Sequence, residues 1–118
     1  MRARAESKFN RQSPRKMRQV VDLIRGRAVN EAYAILQFST RKAAETIDKT
    51  LRSAVANARV KSENEGTPVD VDDLIVKEAY INEGPRLKRW RAAAMGRAAP
   101  MRRPTSHVII VVDRKEQD

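Results

Sequence analysis

The sequence predicts an α+β fold, on the strength of two patterns and the break between them. Three stretches in the first half place apolar side chains at helical spacing, and two later runs are rich in β-branched residues. The turn-rich segment Glu63-Asn64-Glu65-Gly66-Thr67-Pro68 separates the two regimes. With 118 residues the chain can bury one core but not two independent ones, so 1–118 is expected to form a single domain. Between the two extended runs lie residues 84–104, a 21-residue stretch with neither period, expected to be a functional arm within that domain.

Residues 1–12 carry Arg2, Arg4, Lys8 and Arg11 against Glu6 alone, a pattern that suits a basic arm or an edge strand. Ser13-Pro14 then signals a helix start, because a Ser hydroxyl can cap a free backbone N–H and Pro is preorganised for the first turn. Met17, Val20, Val21 and Ile24 follow at i, i+3, i+4 and i+7, with Arg15, Arg18 and Arg25 off that stripe and Gly26 as the stop. A short helix over 29–37 repeats the spacing with Val29, Ala32, Tyr33 and Leu36 and contains no Lys or Arg. The longest helix is predicted from Ser39 or Thr40 to about Lys61, burying Ala44, Ile47, Leu51, Val55 and Ala58. Its many alanines allow close approach of a partner. Residues 73–81 read as a strand whose alternation breaks around Glu78, where a bulge fits, and 105–112 read as a second strand.

Charge points to function. Lys and Arg number 25 against 15 Asp and Glu, a formal charge of +10, which sets the protein up for a polyanionic partner. The charge is also segregated. Residues 84–104 hold seven basic residues (Arg86, Lys88, Arg89, Arg91, Arg97, Arg102, Arg103) and no acid, whereas 63–83 hold seven acids against Lys77, a net of −6. A merely solvated surface would intersperse the signs. Small residues such as Ala92, Ala93 and Gly96 permit close backbone approach, and Trp90 offers a face to a base or an Arg. If the arm doubles back near its middle, each limb of about 10 residues reaches about 30 Å. Such an arm penetrates folded RNA.

Other classes fit less well. A helix-turn-helix DNA reader would need cations on the second helix, which has none. An amphipathic membrane anchor around Leu87, Trp90 and Met95 is interrupted by Gly96, Pro100 and Pro104. The longest aliphatic run, Val108-Ile109-Ile110-Val111-Val112, is far short of the roughly 20 residues that span a bilayer, and the N-terminus leads into no apolar signal core. No Cys is present and His107 is the single His, so neither a metal site nor a Cys nucleophile is expected. Asp72 and Asp73 are adjacent, and in a strand they would point to opposite faces. Taken together, the chain is expected to be non-enzymatic, without cofactor or metal, untargeted and cytoplasmic.

Three blocks of the chain resemble the bacterial-type L-twenty-two family of large-subunit ribosomal proteins. They are Ser13-Pro14-Arg15-Lys16-Met17-Arg18 through Asp22-Leu23-Ile24-Arg25-Gly26; Ser53-Ala54-Val55-Ala56-Asn57-Ala58; and Glu83-Gly84-Pro85 with Lys88-Arg89, Gly96-Arg97-Ala98 and Thr105-Ser106-His107. The sequence departs from the family pattern at Ala92-Ala93, where many relatives have Pro-Arg, and at Pro104, where many have a basic residue. The resemblance implies three helices packed on a small antiparallel sheet with a long protruding basic β-hairpin. It also implies a place at the subunit surface near the peptide exit, with the hairpin tip helping to form the narrow part of the nascent-peptide tunnel, close to where macrolides bind.

On this reading the partners are large-subunit rRNA, whose assembly the protein supports, neighbouring large-subunit proteins and the nascent peptide, with no membrane and no homo-oligomer. The residues expected to bind rRNA are Arg2, Arg4, Lys8, Arg11, Arg15, Lys16, Arg18 and Arg25, and in the arm Arg86, Lys88, Arg89, Trp90, Arg91, Arg97, Arg102 and Arg103. Leu87, Lys88, Arg89, Gly96 and Arg97 are expected to line the tunnel, the first three on a limb near the tip.

Overall fold

In a computed structural model of the chain, residues 2–66, 70–85, 87–92 and 98–115 are described, 87–92 and 98–103 by their backbone. Helix α1 (Pro14–Ile24) begins as its sequence dictates, with Pro14 in the first turn and the Ser13 hydroxyl accepting from Lys16 N–H at 3.4 Å. Met17, Val20, Val21 and Ile24 are all fully buried, so the predicted stripe is the buried face. Helix α2 (Val29–Phe38) buries Val29, Ala32 and Leu36 and half-buries Tyr33.

Helix α3 (Lys42–Asn64) starts slightly later than predicted. The Ser39 hydroxyl accepts from Arg41 N–H at 3.3 Å within the preceding loop. Besides the five predicted positions it buries Ala43, Thr50, Ala54 and Ser62, because it is packed on two sides, by α1 and α2 and by the sheet. Thr50 meets its burial by donating to Thr46 O at 2.9 Å.

The sheet is antiparallel in the order β1 (Ala3–Asn10), β5 (Ser106–Arg114), β2 (Leu74–Glu83), with the hairpin strands β3 (Leu87–Ala92) and β4 (Ala98–Arg103) between β2 and β5 in the chain. Of the two readings of residues 1–12, the edge strand is the one adopted. Central β5 buries every residue from Val108 to Val112: Val108, Ile110 and Val112 join the helical core, while Ile109 and Val111 lie on the opposite face. There they are flanked in register by Glu6 and Tyr80 and by Arg4 and Glu78. Ion pairs Arg4–Glu6 (3.2 Å) and Arg2–Glu78 (2.8 Å) roof that face, which is why an unbroken aliphatic run suits a sheet with helices on one side only.

The bulge anticipated near Glu78 is present, with the register of β2 on β5 shifting between Val76 and Glu78. The extra residue, Lys77, keeps Leu74 and Val76 on the same inward face as Ala79 and Ile81, where uninterrupted alternation would turn one pair to solvent. One expectation needs correction. Asp73 is not in the strand: residues Val71–Asp73 form a 3-10 turn capped by Asp70, whose carboxylate accepts from Asp72 N–H at 3.1 Å. Asp72 and Asp73 are therefore separated by turn geometry, not by strand alternation, and the Asp72 carboxylate accepts from the Asn30 amide.

Strands β3 and β4 pair from Leu87 with Arg103 to Ala92 with Ala98, so the arm doubles back about its middle. Gly84 N–H donates to Thr105 O at 2.9 Å and carries the body ladder to the arm's root. The molecule measures 67 × 28 × 21 Å with a radius of gyration of 17.8 Å, against about 13–14 Å for a compact chain of this length.

Candidate nucleic-acid interface

At the root of the arm, between the N-terminal ends of α1 and α3, lies an open groove of about 920 Å³. It is lined by Arg11, Gln12, Ser13, Arg15, Lys16, Gln19, Arg41, Lys42, Ala43 and Pro104, five cations and no acid. Arg11, Arg15 and Lys16 were expected to contact RNA; Arg41 and Lys42 were not, because only the packing of α3 beside α1 brings them there. Gln19 holds the Arg41 guanidinium through its side-chain carbonyl.

A signal for these two residues does exist in the sequence. Cations in the first turn of a helix oppose its dipole, each by about 0.3–1 kcal/mol when exposed. Arg15 and Lys16 open α1, which has no acid in its first turn, and Arg41 and Lys42 open α3, whose first turn also holds Glu45. Two helix ends that both carry cations and face one groove concentrate positive potential, which a phosphate anion offsets.

The other expected contacts separate. Arg18 and Arg25 lie along the free edge of β2: Arg25 Nε and Nη2 donate to Ala79 O at 2.9 and 2.6 Å, and Arg18 Nη2 to Ile81 O at 3.1 Å. Nearby, Gly26 turns with φ +79°, so that its N–H donates to Val76 O and Val76 N–H to Arg27 O, both at 2.8 Å. Together these contacts close an edge that would otherwise present unpaired carbonyls. Gly26 thus does more than stop a helix, and Arg18 and Arg25 have a structural commitment in addition to any contact with RNA. Arg2 and Arg4 sit in the ion pairs of the outer sheet face, 58% and 55% exposed. Lys8 is exposed on β1, opposite His107.

In the arm, the register sets Lys88 opposite Arg102, Arg89 opposite Met101, Trp90 opposite Pro100 and Arg91 opposite Ala99. Lys88 and Arg102 are thus like-charged residues at paired positions, an arrangement that an anion would offset. Arg86, Gly96 and Arg97 lie outside the described residues. Leu87, Lys88 and Arg89 lie on one limb of the hairpin, as the resemblance implied. They occupy the body end of the ladder, and Leu87 is five steps, about 17 Å, from the Ala92–Ala98 pair.

Five of the seven acids of residues 63–83 gather at the opposite end, the exceptions being Glu78 within β2 and Glu83 at the arm's root. Glu63 and Glu65 close α3, and Asp70, Asp72 and Asp73 precede β2, where Leu74 pairs with Arg114. Lys61 Nζ donates to Arg2 O at 2.9 Å, which ties the end of α3 to the start of β1 at this same pole. The arm leaves from the other end of the sheet, where Glu83 pairs with Ser106. Charge is polarised along the molecule.

Comparison with known proteins gives a consistent result. A family model described as "Ribosomal protein L22p/L17e" matches residues 5–113. The chain is 50% identical over 116 residues to "Large ribosomal subunit protein uL22" of Bifidobacterium longum (strain DJO10A), covering 98% of each chain. It is 53% identical over 115 residues to the protein of that name from Desulfitobacterium hafniense (strain Y51), covering 97% of this chain and 96% of the relative. Against that of Solibacter usitatus (strain Ellin6076) the identity is 48% over 116 residues, 98% and 99% of the two chains.

Proposed function

The chain belongs to the family described as Ribosomal protein L22p/L17e, and from that premise we propose that its basic pole is the surface by which it holds ribosomal RNA. It is a structural, non-enzymatic constituent of the large ribosomal subunit, working in the cytoplasm among rRNA and neighbouring ribosomal proteins. The observation that carries the proposal is the convergence of Arg11, Arg15, Lys16, Arg41 and Lys42 in one groove at the foot of the basic arm. The groove seats the body on phosphates, and the arm, with Arg86, Lys88, Arg89, Trp90, Arg91, Arg97, Arg102 and Arg103, enters between RNA segments. Base edges need not be read for this. Phosphate contacts position a protein and supply most of its salt-dependent affinity.

The finer part of the proposal concerns the tunnel. Gly96 and Arg97 face the nascent peptide, and Leu87, Lys88 and Arg89 set the register that presents them. Deleting Leu87-Lys88-Arg89 removes an odd number of residues from one limb. Everything beyond the cut on that limb then changes face, and the limb shortens by about 10 Å. Since the groove is untouched, subunit assembly is expected to continue while the tunnel is reshaped. Gradient profiles and macrolide inhibition of translation on the same mutant ribosomes test this: large subunits should form in near-normal yield with altered drug response. Defective assembly with a normal drug response would make the arm an assembly clamp and overturn the tunnel reading.

A further inference from the structure

Strand β1 does not run straight to its end. Ser7 pairs with Val108 and Asn10 with Ser106, so Lys8 and Phe9 together face the single residue His107. At this bulge Phe9 has φ +58°, the left-handed region that a bulky side chain rarely adopts and that Gly adopts without strain. The conformation is held from several sides. Phe9 N–H donates to His107 Nδ1 at 3.0 Å, Asn10 Nδ2 donates to Ser7 O at 3.0 Å and Ser106 O at 3.2 Å, and Ser7 Oγ donates to Asn10 Oδ1 at 3.1 Å.

Burial does not explain the side chain that occupies this strained position. Phe9 is 62% exposed, and its ring meets the His107 ring edge-to-face with centroids 5.1 Å apart. A backbone held in strain by its surroundings, presenting an apolar ring to solvent, is the pattern of a binding position more than of a packing one.

We infer that Phe9, seated against His107, is a stacking platform for an unpaired base of ribosomal RNA. The inference rests on the reading of the basic pole as the RNA-holding surface. The surroundings select this occupant. Lys8, the preceding residue, is exposed, Arg11 two residues on lines the basic groove, and Glu6 is paired with Arg4. His107 in turn abuts Gly84 at the arm's root, where a Cβ would lie 3.3 Å from His107 Nε2. The Phe9 N–H to Nδ1 bond fixes the orientation of the His107 ring against Phe9. A flat exposed apolar face in a basic stretch of chain suits a nucleobase on a phosphate chain, since every base has a face to stack.

Glycine at position 9 separates the two roles of the residue, because it relieves the strain and removes the ring. Phe9→Gly is expected to raise the urea midpoint of the free protein while weakening its binding to isolated large-subunit rRNA about tenfold, the loss of one base–aromatic stack. Phe9→Leu, which keeps the strain and loses the flat ring, should weaken binding similarly, and Phe9→Tyr should retain it. On gradient-purified large subunits carrying Phe9→Gly, base-specific chemical probing should show an unpaired nucleotide gaining reactivity. Unchanged RNA affinity and unchanged base reactivity in Phe9→Gly and Phe9→Leu, with the wild-type chain present in the subunits, would overturn the platform alone. Absence of the wild-type chain from large subunits would overturn the ribosomal reading and this inference with it.

Discussion

Gly84 occupies a place where a side chain has no room, since a Cβ there would lie 2.4 Å from Thr105 Oγ1 and 3.2 Å from His107 Cε1. Thr105 cannot easily yield, being buried with its hydroxyl donating to Pro85 O at 2.5 Å. Gly84→Ala is therefore expected to cost about 1–3 kcal/mol, the usual range for overpacking, read as a lower urea midpoint at unchanged m-value. Gly26 differs in kind: nothing lies within 4 Å of a Cβ there, but φ is +79°. Its replacement by Ala should cost about 1–2 kcal/mol through the backbone alone, and Asn, which tolerates that region, should recover part of the loss. Asn at position 84 should recover nothing. A neutral Gly84→Ala would show that the arm's root relaxes freely and that the close approach is not required.

Among the elements, β2 and the arm depend on cations in opposite ways. The free edge of β2 is closed from within the chain by Arg25 and Arg18 on the carbonyls of Ala79 and Ile81. Arg25→Ala should cost about 1–2 kcal/mol, toward the low end for hydrogen bonds from a charged donor because the site is only part-buried, and should raise the tendency to aggregate through that edge. Arg25→Lys keeps the charge but loses the planar two-donor fork, so it should restore only part of the midpoint. On the proposed reading, the arm instead has its cations met from outside, by phosphate. If about seven phosphates are neutralised, the slope of log K against log salt for rRNA should be on the order of −5 to −6. Replacing Arg102 and Arg103 together with Ala should flatten it by roughly one to two units. An unchanged slope would place the binding surface elsewhere.

Over the whole molecule, a formal charge of +10 is spread unevenly, since the groove and the arm hold cations and no acid. Each ion pair among the described residues has at least one well-exposed partner, and such pairs contribute at most about 1 kcal/mol each. Repulsion within the groove and arm therefore outweighs the attraction that salt would screen away. The melting temperature of the free protein is expected to rise by roughly 3–6 °C, equivalent to about 1 kcal/mol, between about 0.05 M and about 0.5 M salt. Thermal melts at the two ionic strengths decide it. A fall would mean that surface ion pairs dominate the electrostatics and that the basic pole is not strained in the absence of RNA.

Much of this protein was legible in the residues themselves. Met17, Val20, Val21 and Ile24 announce the buried face of α1, and Ala44, Ile47, Leu51, Val55 and Ala58 that of α3, because helical periodicity is a local property of neighbouring positions. The charge of the arm and the break near Glu78 were equally local. The hairpin's register left no such signal, since neither limb alternates. Packing decided the rest. Arg41 and Lys42 join Arg11, Arg15 and Lys16 only because α3 docks beside α1, some 25 residues away in the chain. Arg18 and Arg25 reach carbonyls of β2 more than 50 residues distant, which no pattern around them encodes. Phe9 and His107 meet only through the pairing of the first strand with the last. A side chain's environment is set by what folds against it, and for cations and aromatics, which solvent, backbone and RNA can all satisfy, spacing in the chain does not choose among them.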